Sequence, residues 1–336
     1  KKLMHDAVEG KNILITGAAG TIGSELCDTI VAHEPASLVL LDHSEIGLYN
    51  LQKQVEKKLA NKSKIIFLLG SIMDQDYLES VVSKFRIDKV YHAAAYKHVH
   101  LVEENIISGV RNNVLGTMNL INSIRRSSVE EFVLISSDKA VHPKNVMGAT
   151  KRLAEMIVLN FAKKESNKIF SLVRFGNVMR SSGSVIPLFE DQIRNGGPVT
   201  VTDGRATRYF MTTLEASQLV IQASAMAGGG EIFVLDMGDP IRIETLAKKM
   251  IHLHGKSFVG EYEGNDQANE IEIKYTGLRA GEKLKEKLFA SEKFIKTSHP
   301  RIFVSSETDA NIFGIESICS ALEKACNAAD HKAIKD

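Results

Sequence analysis

The sequence is short of cysteine, of net charge and of long apolar runs, and each shortage closes off a class of protein. Its three cysteines, Cys27, Cys319 and Cys326, are too few and too scattered for a disulfide framework or a zinc site, which fits a reducing compartment. With 42 basic against 41 acidic side chains, the formal charge is +1. That gives no electrostatic footprint for nucleic acid, and no nucleic-acid partner is expected. No stretch approaches 18 uninterrupted apolar residues, and no signal peptide opens the chain. Internal repeats and low-complexity tracts are missing too. What is present is 44% hydrophobic and 25% charged over 336 residues. Such a composition supports a proper core and excludes disordered, collagen-like and coiled-coil classes. The length suits about two domains or one large α/β unit. The first residue is Lys1, not Met, so a piece of a longer protein is expected.

Short apolar runs rich in Val, Ile, Leu and Phe occupy 12–16, 38–41, 65–69, 90–93, 132–136 and 170–173. Continuous runs of this kind suit strands buried on both faces of a parallel sheet. Amphipathic segments at 22–33, 44–60, 75–85, 113–125 and 149–163 separate them, with the spacing that βαβ crossovers need. The expected fold is α/β, a Rossmann-type doubly wound parallel sheet. After Arg174 the texture changes to turn clusters, at 181–184, 195–198 and 203–204, a loop-rich stretch of functional character. A helix at 214–227 and an apolar strand at 232–235 then return to complete the sheet. Beyond 241 come helices, a polar turn at 264–270 and a final helix at 315–329. This predicts a Rossmann domain over 1–175, completed by about 211–240. A smaller, interleaved C-terminal substrate domain takes 176–210 and 241–336.

Directly after the first run comes Gly17-Ala18-Ala19-Gly20-Thr21-Ile22-Gly23. Glycines there allow a tight turn, close approach of backbone to a pyrophosphate, and close helix–strand contact. The following helix start, at Thr21 and Ile22, offers N–H donors and a positive dipole end. Asp42 ends the second strand, where a carboxylate meets an adenosine ribose diol; a helix cap is its alternative role, with Ser44 an equal candidate. His43 and Ser44 bring no Arg for a 2′-phosphate, so NAD is favoured over NADP. Ser71 and Ile72 after the third strand, and Ala93, Ala94 and Ala95 after the fourth, are small enough at the strand ends for a nucleotide to lie across them. Lys97 follows into the same cleft as a cofactor or sugar contact. His98 and His100 flank one residue, but with no third ligand they read as packing or solvent contacts, and no metal is expected.

The fifth run leads into Ser136-Ser137-Asp138-Lys139, with Met147 and Lys151 following on one helical face. A lysine at 151 can hold nicotinamide ribose hydroxyls and lower the pKa of nearby groups. With the glycine loop, Asn113–Thr117, the Ser-Ser-Asp-Lys tetrad and Lys151, the chain resembles the extended short-chain dehydrogenase/reductases. Asp138–Ala140, Asn145–Arg152, Arg174–Val178 and Gly277–Lys283 are similar to nucleotide-sugar 4,6-dehydratases of polysaccharide biosynthesis. The resemblance implies bound NAD, with Asn113 among its contacts, and a UDP-sugar substrate, UDP-N-acetylglucosamine. It carries Asn177, Arg208, Arg279 and Glu282 over to the substrate, and Thr200 to a uracil-lining strand. It also implies a homo-oligomer, a dimer or higher. The full-length form it implies is membrane-anchored, with its catalytic portion on the cytoplasmic side.

Met147 departs from the superfamily, which places Tyr four residues before the Lys. A thioether has no titratable proton and cannot take one from a sugar hydroxyl. The resemblance extends to a subgroup that carries Met here, which implies activity with retention at C5. Asp138 and Lys139 are then the replacements. Lys139 would remove the C5 proton, Asp138 would protonate the departing C6 oxygen, and Ser137 would bond the C4 oxygen. The base for the C4 hydroxyl stays open between Asp138 and a water held by Lys151. A solvated Asp–Lys surface pair, a UDP-sugar 4-epimerase and a non-catalytic NAD-binding module are the competing readings.

Overall fold

The apolar runs assemble into one nine-stranded sheet. In chain order its strands are β1 (Asn12–Thr16), β2 (Ser37–Asp42), β3 (Lys64–Leu69), β4 (Lys89–His92), β5 (Glu131–Ile135), β6 (Ile169–Arg174), β7 (Ile232–Leu235), β8 (Phe294–Lys296) and β9 (Ile302–Ser305). The computed structural model describes residues 2–58, 64–260, 269–289, 294–307 and 314–336. Across the sheet the order is β8-β9-β7-β6-β5-β4-β1-β2-β3. The seven strands from β7 to β3 pair in parallel, and β9 and β8 close the far edge antiparallel. The order reverses between β1 and β4, and at such a switch point the strand ends open a crevice for a ligand. Register puts Thr16 beside both Leu41 and His92, so the carboxyl ends of β1, β2 and β4 lie level.

Every residue of β2 and β4 is buried, as are the last five of β6. No two-residue alternation appears in them because helices cover both faces. The expected helices form at Thr21–Val31, Glu45–Lys58, Gln75–Lys84, Gly116–Arg125, Val146–Lys164, Thr213–Ala225 and Ile315–Asn327. A π-helical turn at Arg111–Leu115 precedes the Gly116–Arg125 helix. Five helices were not anticipated: Lys2–Val8, Val99–Glu104, Ile106–Val110, Val185–Arg194 and His331–Lys335. Nor were β8 and β9. Residues 264–268 of the expected polar turn lie outside the described residues, and Glu270–Ile271 is a short strand.

The sheet's core takes in Leu120, Ile121 and Ile124 of the Gly116–Arg125 helix, and Ile157, Val158 and Phe161 of the Val146–Lys164 helix. Those apolar faces serve the chain's own interior. A second apolar cluster, including Phe189, Ile193, Val199, Val201, Phe210, Ile251 and Ile271, lies apart from it. The chain leaves the sheet after β6 to build part of this cluster, returns for β7, and leaves again. All three cysteines are buried thiols outside any disulfide. Among the described residues no helix is long and apolar enough to cross a membrane.

Candidate active site

The glycine loop is shaped by contacts that exclude a side chain. Gly17 has φ +70°, and a Cβ on it would lie 2.5 Å from the Ala94 amide nitrogen at the end of β4. A Cβ on Gly23 would meet the Gly17 carbonyl oxygen at 2.1 Å. Loop, strand end and helix therefore close on one another only because both positions are glycine. No side chain caps the Thr21–Val31 helix at Gly20, which leaves its first turn able to receive an anion. Asp42, 7% exposed, accepts from the Ala19 N–H through Oδ2 and from the Ser44 N–H through Oδ1, both at 2.9 Å. Ser44, in turn, caps the helix after β2 by accepting from the Gly47 N–H. Asp42 thus braces the glycine loop while lining a cavity of about 240 Å³ with His43, Ser44, Ile72 and the three alanines.

That cavity adjoins a larger one of about 710 Å³. The predicted Gly17, Gly20, Thr21, Ile22, Gly23, Ala93, Ala95, Lys97, Ser137, Lys139, Met147, Lys151 and Asn177 all line it. Asp138 does not. Its side chain is fully buried behind its neighbours, where Oδ1 accepts from Ser137 Oγ and from Lys139 Nζ, each at 2.8 Å. Lys139 Nζ also donates to Asn177 Oδ1 at 3.0 Å. Oδ2 of Asp138 is buried with no partner among the described residues. The pair is therefore no solvated surface contact, and direct contact of the Asp138 carboxyl with a ligand in the cavity needs a side-chain movement.

Met147 and Lys151 stand on the Val146–Lys164 helix, both buried. Asn145 caps that helix by accepting from the Gly148 N–H at 2.7 Å, and donates to the Gly281 carbonyl at 2.9 Å. In this way the Gly277–Lys283 segment is tied to the active-site helix. Lys151 Nζ donates to the Ile135 carbonyl at 2.8 Å. Burial lowers its pKa to about 8, with the Glu155 charge pulling the other way. His92, buried between Thr16 and Thr117 hydroxyls, is pushed down to about 3 by burial and then by the Lys151 charge. It is a neutral structural imidazole.

Several predicted residues are not brought to either cavity. Asn113 is buried beneath Tyr96, accepting from its N–H at 2.8 Å, donating to its carbonyl at 3.0 Å and donating to Thr150 Oγ1 at 2.9 Å. It positions the loop after β4 without lining the cleft. Ser71 accepts from the Met73 N–H, beside Ile72, which does line it. Thr200 is engaged with Gln192 through both its hydroxyl and its N–H. Arg208 and Glu282 form an ion pair at 3.1 Å with each other, and Arg279 is exposed. The larger cavity is also lined by residues not anticipated individually, among them Tyr96, Leu101, Val102, Phe175 and Ser181–Val185. The turn cluster at 181–184 was the visible signal for the last group. Among the described residues no group of three His, Cys, Asp or Glu could hold a metal ion.

The family described as "Polysaccharide biosynthesis protein" matches residues 13–307. The chain belongs to that family. Within the polysaccharide biosynthesis proteins it is similar to capsular polysaccharide biosynthesis protein CapD of Staphylococcus aureus, 46% identical over 286 residues, 85% of this chain and 46% of CapD. It therefore spans about half the length of that relative. Among solved structures, Pen from Bacillus thuringiensis matches with TM-score 0.78 and 35% identity over 89% of this chain and 88% of that one. The dTDP-glucose 4,6-dehydratase DesIV of Streptomyces venezuelae, solved with NAD and TYD bound, shares the fold. Its TM-score is 0.71 at 20% identity, over 82% of this chain and 88% of that one.

Proposed function

We propose that this cleft binds NAD and a UDP-sugar, and that the chain catalyses 4,6-dehydration of UDP-N-acetylglucosamine for surface polysaccharide or glycan synthesis. The observation that carries the reading is the Asp138–Lys139 pair set into the cavity wall beside Met147. Dehydration needs a base at C5 and an acid at C6, and this is a base and an acid already in contact. NAD is supported by the two glycine contacts that a Cβ would fill, the uncapped helix start, and Asp42 in the adjoining cavity. Bound there, it would supply a reversible hydride acceptor for the C4 hydrogen, later returned to C6. Gly17, Gly20 and Gly23 would hold its pyrophosphate, Asp42 its adenosine ribose and Lys151 its nicotinamide ribose.

The chain's own residues then handle protons. Transfer of one proton from Lys139 Nζ to Asp138 Oδ1, across 2.8 Å, leaves a free amine facing C5 and a carboxylic acid behind it. Ser137 lines the cavity and touches Asp138 Oδ1. Once Asp138 is protonated it can donate to Ser137, whose own hydroxyl proton is released toward the departing C6 oxygen. The acid assigned to Asp138 thus acts through Ser137, which fits a carboxyl that does not line the cavity. Asn177 accepts from Lys139 and fixes its direction. We further assign the second apolar cluster, drawn from residues within 176–210 and 241–284, to the substrate side, while β8, β9 and the Ile315–Asn327 helix belong with the sheet and not, as expected, with that domain.

The test is incubation of the protein with UDP-N-acetylglucosamine in D₂O, followed by mass spectrometry and NMR. Loss of one water, a 4-keto-6-deoxy sugar and deuterium at C5 are expected. A C4-epimer without loss of water would replace the reading with an epimerase, and binding without turnover would make the chain a non-catalytic module.

A further inference from the structure

One proton in this chemistry has no acceptor. Oxidation at C4 releases the hydroxyl proton as well as the C4 hydrogen, and the thioether of Met147 cannot take it. Lys139 is committed to Asp138 and Asn177, and Lys151 to the Ile135 carbonyl. Lys97 differs from both. It lies in the loop after β4 and lines the same cavity as Ser137, Lys139 and Met147. Among the described residues its ammonium has neither hydrogen bond nor ion pair. We propose that Lys97, as the free amine, accepts the C4 hydroxyl proton and so fills the part that Met147 cannot play. This rests on the dehydratase reading of the cleft.

The step balances. The O–H bonding pair becomes the second C4–O bond, C4–H leaves as hydride to the nicotinamide, and the proton ends on Nζ as an ammonium. The departing C6 oxygen takes one proton from Asp138 by way of Ser137; the Lys97 ammonium then releases its proton to solvent and the Asp138–Lys139 pair takes one back, so the turnover is neutral overall and Lys97 returns to the amine. The loop holds Lys97 in place because Asn113, buried below, grips both the N–H and the carbonyl of Tyr96. Charged and titratable groups facing this space come from three elements. Lys139 follows β5 with Asp138 buried behind it, Lys151 is on the Val146–Lys164 helix, and Tyr96 and His98 are on the Lys97 segment itself, His98 beside the His100 ring. Asp138 is covered by Lys139, leaving Lys97 among like charges. Burial, then the Lys139 charge, lowers Lys97 below the ordinary lysine range.

An arginine separates a base from a cation that merely holds a diphosphate. With UDP-N-acetylglucosamine as the probe, Lys97→Ala and Lys97→Arg are both expected to lower kcat by about 100-fold or more, with KM changed only a few-fold. Ethylamine should restore the alanine variant, increasingly as pH rises and more of it is free amine. Competitive acetylation of the substrate-free protein, read by mass spectrometry, gives a second measure. Lys97 should titrate below the exposed lysines and move upward in Lys139→Met. An arginine variant with wild-type kcat, or a Lys97 titration matching the exposed lysines, would overturn the proposal while leaving the dehydratase reading intact. A wild-type protein inert toward this sugar nucleotide would fail that reading and the proposal with it.

Discussion

Ser136 and Ser137 are neighbours at the end of β5, yet they belong to two regions built on opposite terms. Ser136 donates to Glu155 at 2.5 Å, and Glu155 accepts from Arg174 through two more bonds at 2.7 and 2.8 Å. Arg174, fully buried, also donates to Glu307 from both Nη atoms, and Arg152 bridges the same two carboxylates. Here a guanidinium in the core has each of its nitrogens engaged, the condition under which a buried charge is tolerated. Ser137 instead turns its hydroxyl to Asp138, buried behind it with an Oδ2 that lacks a partner among the described residues, and shares the cleft with Lys97, which has no counter-ion there. Polar groups left unsatisfied in a cavity are held ready for a ligand, and those saturated below keep the strand ends from moving.

Removing the cleft charge gives the sharpest break between the regions. Lys139→Met is expected to lower kcat for UDP-N-acetylglucosamine by about 1,000-fold, with the urea midpoint nearly unchanged. In the buried network the effect inverts. Arg174→Met strands two carboxylates and is expected to cost about 3–5 kcal/mol in urea unfolding; an unchanged midpoint would mean the network is not structural. Acid should weaken the network. Glu307 is held down at about 2 by the Arg174 contacts, which outweigh its burial. Its folded pKa lies below the unfolded one, so its stabilisation is complete above about pH 4.5 and lost as pH falls toward 2. Thermal melts across that window should decline for the wild type. The smallest change is the most discriminating. Ser136→Ala should cost about 1–2 kcal/mol of stability with kcat retained, and Ser137→Ala should cost about 10-fold or more in kcat with stability retained. Equal losses of both kinds in the two variants would dissolve the distinction.

Much of the sheet was legible because strands covered on both faces need uninterrupted apolar runs, and β1 through β7 all carry them. The glycine loop and Asp42 were legible for a related reason, since close backbone approach leaves few residue choices. Harder to see were β8 and β9, whose apolar stretches are only two and three residues long, Phe294-Ile295 exposed and Ile302–Val304 partly buried. The helices Val99–Glu104 and Ile106–Val110 are too short for their periodicity to stand out. Asn113 was placed among cofactor contacts, but it works from beneath the loop, a distinction that spacing does not encode. The Arg174 network had only faint signals, an arginine ending an apolar strand and a glutamate one turn past Lys151. Its third member, Glu307, lies 133 residues from Arg174.

By itself, then, the sequence determined a neutral chain with few cysteines, a parallel sheet with a nucleotide crevice, and a Met where a phenol would be expected. Those properties follow from local chemistry, from what each stretch can bury and which backbone angles it can adopt. Only the tertiary structure decided that Asp138 sits behind Ser137, that Lys139 is shared with Asn177, and that Lys97 has no partner among the described residues. Partnership is settled by which strand ends and loops the fold brings together. The near-zero net charge of the chain therefore says little about charges whose effects depend on a few ångströms.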